Sequence, residues 1–343
     1  MKRIEQLQRN LRESNIQQVL ISDTLSIYYL IQKRFHVQER FIALLVQQSG
    51  EPVLFLNHLF PSQPIPGVEM VRFHDSDDYL SLVLKYTSEG VMAVDKSLPA
   101  RFLLPLMQGN CGIILSSFVE DMRLVKDEEE RVKMRNASLV NDEIMGEVEK
   151  FLHVGVCDKE VEAFIAQEQA KRGLEPSFGS IVGFRKNAGD PHGCADGQIL
   201  QESDVCIIDM GMVLEDYCAD MTRTFVYNDP KLEEIYQIVL KANLAAEAII
   251  KPGVRFCDID AAARNVIEEA GYGQYFTHRT GHGIGLEVHE PKDVSSANTD
   301  VVQAGYCFSI EPGIYIEGLG GVRIEDLVIV TEDGCEVLNH YRK

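Results

Sequence analysis

The sequence predicts two successive domains, an α/β unit over residues 1–122 and an α+β unit over residues 123–343. Helix-like and strand-like patterns alternate through the first stretch, which is typical of an α/β unit. In the second stretch helices come in pairs, and each pair is followed by strands joined by short turns. That order favours an antiparallel sheet covered by helices, with the pattern of two helices plus strands occurring twice. At 343 residues the chain is long enough for two such domains.

The elements of the first domain follow from hydrophobic periodicity. Ile4, Leu7 and Leu11 mark one face of an opening helix that ends near Ser14. Further helices are predicted at 79–86 and 98–107, and strands at 18–22, 41–47, 52–57, 90–95 and 112–116. The histidines of this domain stand apart from other ligand-type residues, so we interpret them as surface or turn residues: His36, His58 and His74.

The second domain begins where the composition shifts to charge, around residues 119–126. Acidic residues at 127–130 suit the first turn of a helix, and apolar residues spaced three and four apart from Ala137 to Phe151 give it a buried face. Further helices are predicted at 159–171, 232–249 and 259–270, the last ended by Gly271. Strands are predicted at 180–183, 204–210, 217–227, 306–311, 313–316 and 322–330.

Composition excludes several classes of function. The net charge of −20 argues against nucleic acid or anionic membranes as partners. No run of about 18 apolar residues occurs, and the polar residues after Met1 do not form a signal peptide. The eight cysteines form no CxxC pair, which indicates a reducing, cytoplasmic location.

The stretch from residue 278 to 290 concentrates His278, His282 and His289 among three glycines spaced two apart. Each glycine would cost a zinc-binding helix about 1 kcal/mol, and no helix pattern follows that would make this a phosphate loop. An extended segment remains, in which residues an even number apart share a face. His278 and His282 should therefore point the same way, and His289 needs a bend or bulge to join them.

Two aspartates flank a predicted hairpin. Asp209 ends an apolar run, and a turn about Leu214 and Glu215 would pair position 213 with 216 and Asp209 with Asp220. Directly opposed residues lie about 4.5–5.5 Å apart at Cβ and share a face. Two carboxylates so placed repel each other unless a cation lies between them.

Two glutamates occupy similarly apolar surroundings. Glu311 follows an apolar run and precedes Pro312, and Glu325 lies inside the run 322–330, two residues from Arg323 and therefore on the same face. Four such acids together with His282 suit oxygen-preferring divalent ions at two adjacent positions. Two ions about 3.5–4 Å apart can clamp and activate a bridging water.

These segments together resemble the aminopeptidase P and prolidase family, the pita-bread dinuclear metallopeptidases that cleave before proline. The likeness rests on Asp-Met-Gly at Asp209, Asp-Met-Thr-Arg-Thr-Phe at Asp220, Gly-His-Gly-Ile-Gly-Leu around His282, Ile-Glu-Pro-Gly-Ile-Tyr around Glu311 and Gly-Val-Arg-Ile-Glu-Asp around Glu325. It covers nearly all of residues 120–343. The first domain is similar to the creatinase-type N-terminal domain of that family.

The resemblance implies that two divalent ions are held by five ligands: Asp209, Asp220, His282, Glu311 and Glu325. It implies that Asp220 and Glu325 bridge the two ions. The ions would be manganese or cobalt, with zinc as an alternative. It implies that a metal-bridging hydroxide attacks the bond before proline. Glu311 would carry the proton to the leaving nitrogen, while His289 and His192 contact the substrate and His278 and Arg323 support them. It also implies a homodimer in which the N-terminal domain of one chain closes over the cleft of the other.

Several alternatives stay open from the sequence alone. The chain could cleave Xaa-Pro dipeptides or longer peptides, because the arginine that dipeptide-cleaving relatives place after His-Glu-x-Pro is missing. Lys292, or Arg185 or Lys186 in the unusual loop 183–190, could replace it. A pita-bread amidohydrolase acting on a small non-peptide amide and a non-catalytic binding relative are the other hypotheses.

Overall fold

The computed structural model describes residues 2–108 and 112–343 and divides the chain into two compact units, Met1–Arg123 and Leu124–Lys343. In the part of the chain so described, none of the helices has the length and apolar character needed to cross a membrane.

The first unit is a six-stranded mixed sheet with helices packed against it. Its elements are α1 (Lys2–Glu13), β1 (Gln18–Ile21), α2 (Thr24–Ile31), β2 (Ile42–Gln47), β3 (Val53–Asn57), β4 (Glu69–Phe73), α3 (Tyr79–Tyr86), β5 (Val91–Val94), α4 (Ala100–Met107), β6 (Gly112–Leu115) and α5 (Phe118–Leu124). The strand order is β4-β3-β2-β1-β5-β6. Parallel pairs β1–β5, β5–β6 and β3–β4 flank the antiparallel centre, as an α/β unit requires. Ile4, Leu7 and Leu11 are buried, as their spacing predicts.

Three elements of this unit, α2, β4 and α5, are not predicted from the sequence. α2 is a short, almost uniformly apolar run without a helical period, and only the Asp23 side chain, which accepts from the Ser26 N–H, marks its start. A short apolar run of this kind does not distinguish a helix from a strand.

The second unit contains two helix pairs, each followed by strands. The first half comprises α6 (Glu128–Phe151), α7 (Asp158–Lys171), β7 (Glu175–Pro176), β8 (Ile181–Phe184), β9 (Asp204–Met210), β10 (Met212–Leu214), β11 (Tyr217–Cys218) and β12 (Met221–Tyr227). The second half comprises α8 (Pro230–Ile249), α9 (Phe256–Glu269), β13 (Gly281–Gly283), β14 (Glu290–Val294), β15 (Cys307–Ile310), β16 (Gly313–Ile316), β17 (Gly320–Arg323), β18 (Asp326–Val330) and β19 (Cys335–Val337). Short 3-10 turns lie at Arg185–Gly189 and Gly273–Tyr275.

The strands of the second unit pair antiparallel throughout, as the α+β prediction requires. The sheets run β12-β9-β8, β11-β10-β7, β14-β13-β15-β18-β19 and β16-β17. α6 starts at a capping box in which the Asp127 side chain accepts from the Glu130 N–H and Glu130 accepts in return from the Asp127 N–H. α9 is followed by Gly271 at a φ of 85°, a left-handed conformation that glycine adopts without strain.

Two predicted strands of this unit are wrong in detail. The run 322–330 is split between β17 and β18, which belong to different sheets, with Ile324 and Glu325 between them. The split is stabilised by hydrogen bonds from the Ile324 N–H to the Pro312 carbonyl and from the Glu325 N–H to the Thr222 carbonyl. The run 217–227 is likewise divided into β11 and β12, with Asp220 in the gap.

Candidate active site

A cavity of about 480 Å³ in the second unit brings together every site residue predicted from the sequence. Its lining residues are Phe178, Ile181, Pro191, His192, Asp209, Asp220, His278, Arg279, His282, Val288, His289, Glu311, Arg323 and Glu325. A volume of this size is typical of a site for a small ligand. The acids at the floor are largely buried, whereas His192 and His289 are exposed at the rim.

The predicted register of the Asp209–Asp220 hairpin is wrong by two residues. The turn is formed by Glu215 and Asp216, both at positive φ, so Asp209 lies opposite Thr222 instead of Asp220. Two consecutive left-handed residues suit the tight turn of a hairpin, although glycine and asparagine are more common there. An offset of two residues keeps side chains on the same face of a strand, and both aspartates line the cavity.

The two glutamates reach the cavity from the ends of paired strands. In the β15–β18 ladder Ile310 pairs with Asp326, so Glu311 and Glu325 occupy the next position beyond that pair. The Glu311 N–H donates to the Thr280 carbonyl at 2.7 Å. Thr222 holds Glu325 twice, since its carbonyl accepts from the Glu325 N–H at 3.1 Å and its hydroxyl donates to Glu325 Oε2 at 2.8 Å.

His282 presents one ring nitrogen to the acids. Its Nδ1 lies 3.1 Å from the Gly283 carbonyl, an acceptor that requires the proton on Nδ1. Nε2 is then left with a lone pair, and it lies 3.5 Å from Glu311 Oε1 and 3.7 Å from Asp220 Oδ2. A histidine that ligates a metal has this arrangement, with its second nitrogen fixed by a hydrogen bond.

Buried oxygens without donors indicate that a cation fits here. Among the residues that the structure describes, no hydrogen-bond partner reaches Asp209 Oδ1, Asp220 Oδ1 or Glu325 Oε1. One ligand atom each of Asp220, His282 and Glu325 lie within 4.8 Å of one another. Buried polar atoms are normally satisfied, and carboxylate oxygens with an imidazole nitrogen suit divalent ions. The residues present therefore fit a divalent metal.

The electrostatics of the floor lead to the same conclusion. Burial, followed by repulsion from neighbouring acids, raises the pKa of Asp220 and of Glu325 well above the usual range. Burial also raises the pKa of Glu311 and lowers the pKa of His282 to about 4. Several carboxylates and a neutral imidazole buried side by side are a costly arrangement that a bound cation would stabilise.

Arg323 pairs with Asp209 instead of with Glu325, its neighbour on the strand face. Its Nη2 donates to Asp209 Oδ2 at 2.7 Å, and both side chains are almost fully buried. Nη1 donates to Tyr315 OH at 2.9 Å, and Nε donates to Thr222 Oγ1 at 3.0 Å. Arg323 therefore fixes one carboxylate oxygen and ties three strands around the cavity.

The bend predicted for His289 is confirmed. The β13–β14 ladder shifts register between His282 and Gly283, and the His289 ring meets the His282 ring edge-on at 4.3 Å between centroids. His278 lines the same cavity, with its Nε2 3.0 Å from Tyr315 OH. His192 lies at the opening of the cavity, where its backbone N–H donates to Asp190 Oδ1 at 2.9 Å.

A buried ion pair supports the loop that carries His289. Lys126 Nζ donates to Glu290 Oε2 at 3.0 Å, and both side chains are 2% exposed. Glu290 Oε1 accepts from the Leu286 N–H at 3.0 Å, which closes the loop on itself. A Cβ at Gly285 would lie only 2.8 Å from the Glu290 carboxylate, so a larger residue there would have to displace the group that Lys126 holds.

The three cations proposed from the sequence as substitutes for the missing arginine do not line the cavity. Lys292 Nζ donates to Asp300 Oδ2 at 2.6 Å, and Arg185 lies 3.7 Å from Asp204. Lys186 follows Arg185 in the 3-10 turn and is also absent from the lining.

The cavity instead includes Arg279, which sequence reasoning missed. In a strictly extended chain Arg279 would face away from His278 and His282, so alternation placed it on the wrong side. The apolar residues Phe178, Ile181 and Val288 were also missed, because single apolar residues give no signal in a sequence.

Two protein-family models match the chain. The model of metallopeptidase family M24 matches residues 132–332, and the model of the creatinase/prolidase N-terminal domain matches residues 3–125. Over its whole length the chain is 37% identical to the whole of a protein named only as an uncharacterized peptidase of Staphylococcus aureus (strain MSSA476).

Two solved structures are similar along the entire chain. An Xaa-Pro dipeptidase from Bacillus anthracis is 30% identical with a TM-score of 0.90, covering 100% of this chain and 98% of its own. A dipeptidase from Mycobacterium ulcerans is 34% identical with a TM-score of 0.93, covering 100% and 95% respectively. By sequence and by fold, the chain belongs to metallopeptidase family M24, with a creatinase/prolidase N-terminal domain ahead of a pita-bread catalytic domain.

Proposed function

We propose that this chain hydrolyses the peptide bond before proline at the N-terminus of dipeptides or short peptides, using two divalent metal ions. The observation that carries the proposal is the convergence of three donorless carboxylate oxygens with the lone pair of His282 Nε2. The name of the Bacillus anthracis relative, Xaa-Pro dipeptidase, supports the choice of bond.

Five residues would hold the ions: Asp209, Asp220, His282, Glu311 and Glu325. Divalent ions in this set, manganese or cobalt with zinc as the alternative, would supply Lewis acidity and lower the pKa of a water molecule towards 7. Asp209 offers the one oxygen that Arg323 does not engage. Thr222 orients Glu325 by donating to its Oε2.

The remaining roles follow from position around the cavity. Glu311 lies at the edge of the acidic floor and would take the proton of the attacking water and deliver it to the leaving imino nitrogen. His289 and His192 at the rim would donate hydrogen bonds to the carbonyl oxygen as it gains charge and to the substrate. His278 and Arg323, both bonded to Tyr315 OH, would hold the walls in place.

The lining also suits proline as the second residue. The nitrogen of an Xaa-Pro bond carries no hydrogen, so the cavity needs no acceptor for it. Phe178, Ile181 and Val288 provide an apolar surface that a pyrrolidine ring can cover. The proposal also includes that the chain forms a homodimer and acts in the cytoplasm.

The test is an assay of the metal-free chain reloaded with Mn²⁺ or Co²⁺. We expect Ala-Pro to be cleaved and Ala-Ala to be left intact, with activity lost in the Glu311→Gln variant. Equal cleavage of Ala-Ala would contradict proline specificity. Hydrolysis of small non-peptide amides but not of Ala-Pro would favour the amidohydrolase alternative, and metal binding without hydrolysis of any substrate would favour a binding protein.

A further inference from the structure

Positive charge in the cavity comes from two arginines that differ in how many of their donors are used. Arg323 is buried and donates to Thr222 Oγ1, Tyr315 OH, Asp209 Oδ2 and the Pro191 carbonyl. All three nitrogens of its guanidinium therefore donate to groups of the protein. No pair of neighbouring N–H groups is left to bind a ligand carboxylate.

Arg279 uses only one of its three guanidinium nitrogens in a hydrogen bond to the described residues. Its Nη1 donates to Asp293 Oδ1, and within residues 2–108 and 112–343 its Nε and Nη2 donate to no acceptor. The side chain is 34% exposed and lines the cavity, while Asp293 is 52% exposed. Ion pairs this exposed contribute little to stability, so Asp293 orients the guanidinium without using up its binding capacity.

The backbone that carries Arg279 is fixed on both sides. Arg264 Nη2 donates to the His278 carbonyl at 3.0 Å, and His278 Nδ1 lies 2.7 Å from the Arg279 carbonyl. Thr280 donates from its hydroxyl to Asp260 Oδ1 at 2.7 Å and from its N–H to the Val294 carbonyl at 2.8 Å. A guanidinium on a rigid segment is pre-organised for a ligand, because less motion is lost on binding.

Arg279 lines the same cavity as His289 and Glu311. Its guanidinium therefore lies among the residues proposed to act at the scissile bond.

We infer that Arg279 binds the C-terminal carboxylate of the substrate and makes the enzyme selective for Xaa-Pro dipeptides. This inference rests on the proposed function. In a dipeptide the carboxylate is attached directly to the residue after the scissile bond, so it lies near the rim when the carbonyl faces the floor. The unused donors of a planar guanidinium match a carboxylate, and in a longer peptide a neutral amide takes that place.

The selectivity belongs to Arg279 because the other candidate cations are engaged elsewhere. Lys292 is bonded to Asp300, Arg185 lies beside Asp204, and neither lines the cavity. The arginine that the resemblance leads one to expect after His-Glu-x-Pro is absent, and the cation that lines the cavity is Arg279, which precedes β13 and forms an ion pair with Asp293 of β14.

The experiment compares Ala-Pro with Ala-prolinamide, which differ only in the charged carboxylate. The wild type should prefer Ala-Pro, and Arg279→Gln should lower kcat/KM for Ala-Pro about 10- to 100-fold, the size expected for a charge-assisted hydrogen bond, chiefly through KM. The same variant should change Ala-prolinamide less than about threefold. Arg279→Lys, which keeps the charge but not the fork, should recover part of the loss.

Binding of free L-proline, measured by calorimetry on the same proteins, gives a readout independent of turnover. Arg279→Gln should weaken the binding of L-proline but not the binding of L-prolinamide. Lys292→Gln, which changes a residue outside the cavity, should bind both ligands as tightly as the wild type does. If Arg279→Gln lowered kcat/KM equally for Ala-Pro and Ala-prolinamide, or for neither, the inference would be overturned while the proposed function stands. A wild type that cleaves neither Ala-Pro nor Ala-prolinamide would instead overturn the proposed function, and the inference with it.

Discussion

Arg323 Nη2 donates to Asp209 Oδ2 at 2.7 Å, in an ion pair whose two side chains line the cavity and are largely buried. The second oxygen, Asp209 Oδ1, has no donor among the residues that the structure describes. One carboxylate thus has one oxygen, Oδ2, bonded to the Arg323 guanidinium, while the other, Oδ1, is the atom that our proposal assigns to a metal ion. Arg323 also lessens the repulsion among the acids before a metal binds.

Arg323→Met should lower the free energy of unfolding of the metal-free chain by about 3–5 kcal/mol, because it leaves Asp209 buried without its counter-ion. Urea denaturation followed by circular dichroism measures this change. Arg255→Met is the matched control, since Arg255 forms an exposed pair with Asp258 and its loss should leave the midpoint unaltered. An Arg323→Met midpoint equal to that of the control would contradict the role given to the buried pair.

Lys126→Met should destabilise the chain by a similar amount, about 3–5 kcal/mol, and should also lower kcat, because Glu290 would lose the cation that holds the His289 loop. The double variant Lys126→Met with Glu290→Gln removes both charges and should recover part of the stability. Unfolding curves and steady-state kinetics on all three proteins check this. A single variant with wild-type kcat would mean that the ion pair does not position His289.

Much of the site is predictable because its acids break local patterns. Asp209 and Glu311 each end an apolar run, and a charged residue in that context must be buried with a partner. The even spacing of His278 and His282 and the odd spacing of His289 also carry geometric information. His289 reaches them because the chain reverses between the antiparallel strands β13 and β14, whose ladder also shifts register between His282 and Gly283.

The remaining details depend on contacts distant in the sequence. The hairpin register is set by Glu215 and Asp216 adopting left-handed conformations, which non-glycine residues seldom do. The break at Ile324 and Glu325 exists because their N–H groups bond Pro312 and Thr222, from other strands. Arg279 enters the cavity because the segment is not evenly extended, a departure from alternation that no local pattern encodes.

Stability should depend on pH through Glu247. Burial, then repulsion from Asp326, raises the pKa of Glu247 to about 7 from an ordinary value of 4.5, against the opposing charge of Lys343. The folded chain therefore binds more protons than the unfolded chain between these values. The stability that Glu247 contributes to the folded chain is fully present below about pH 4.5 and is lost as the pH rises through about 7. A difference of one pKa unit between the folded and unfolded chain corresponds to about 1.4 kcal/mol.

Glu247→Gln should flatten this dependence, since glutamine does not titrate. Melting temperatures from pH 5 to pH 8 would show a smaller decline for the variant than for the wild type. The exposed Glu269→Gln serves as the control and should keep the wild-type slope. A wild-type slope in Glu247→Gln would refute the assignment to this group.

The proposed homodimer predicts a mass in solution of twice the 38.6 kDa of the chain. Light scattering coupled to size-exclusion chromatography measures this directly over a range of protein concentrations. If the N-terminal unit of one chain closes over the cleft of the other, dilution into monomers should also change the preference for substrate length. A mass of one chain at every concentration, with unchanged specificity, would rule the dimer out.

The most direct test of the metal-dependent mechanism is calorimetric titration of the metal-free chain with Mn²⁺, with cleavage of Ala-Pro followed in parallel. We predict about two ions per chain, with activity rising as the sites fill. Glu325→Ala should bind at least one ion fewer and lose nearly all activity, whereas the exposed Glu317→Ala should match the wild type. Saturation at a single ion with full activity, or cleavage of Ala-Pro without added metal, would contradict the account.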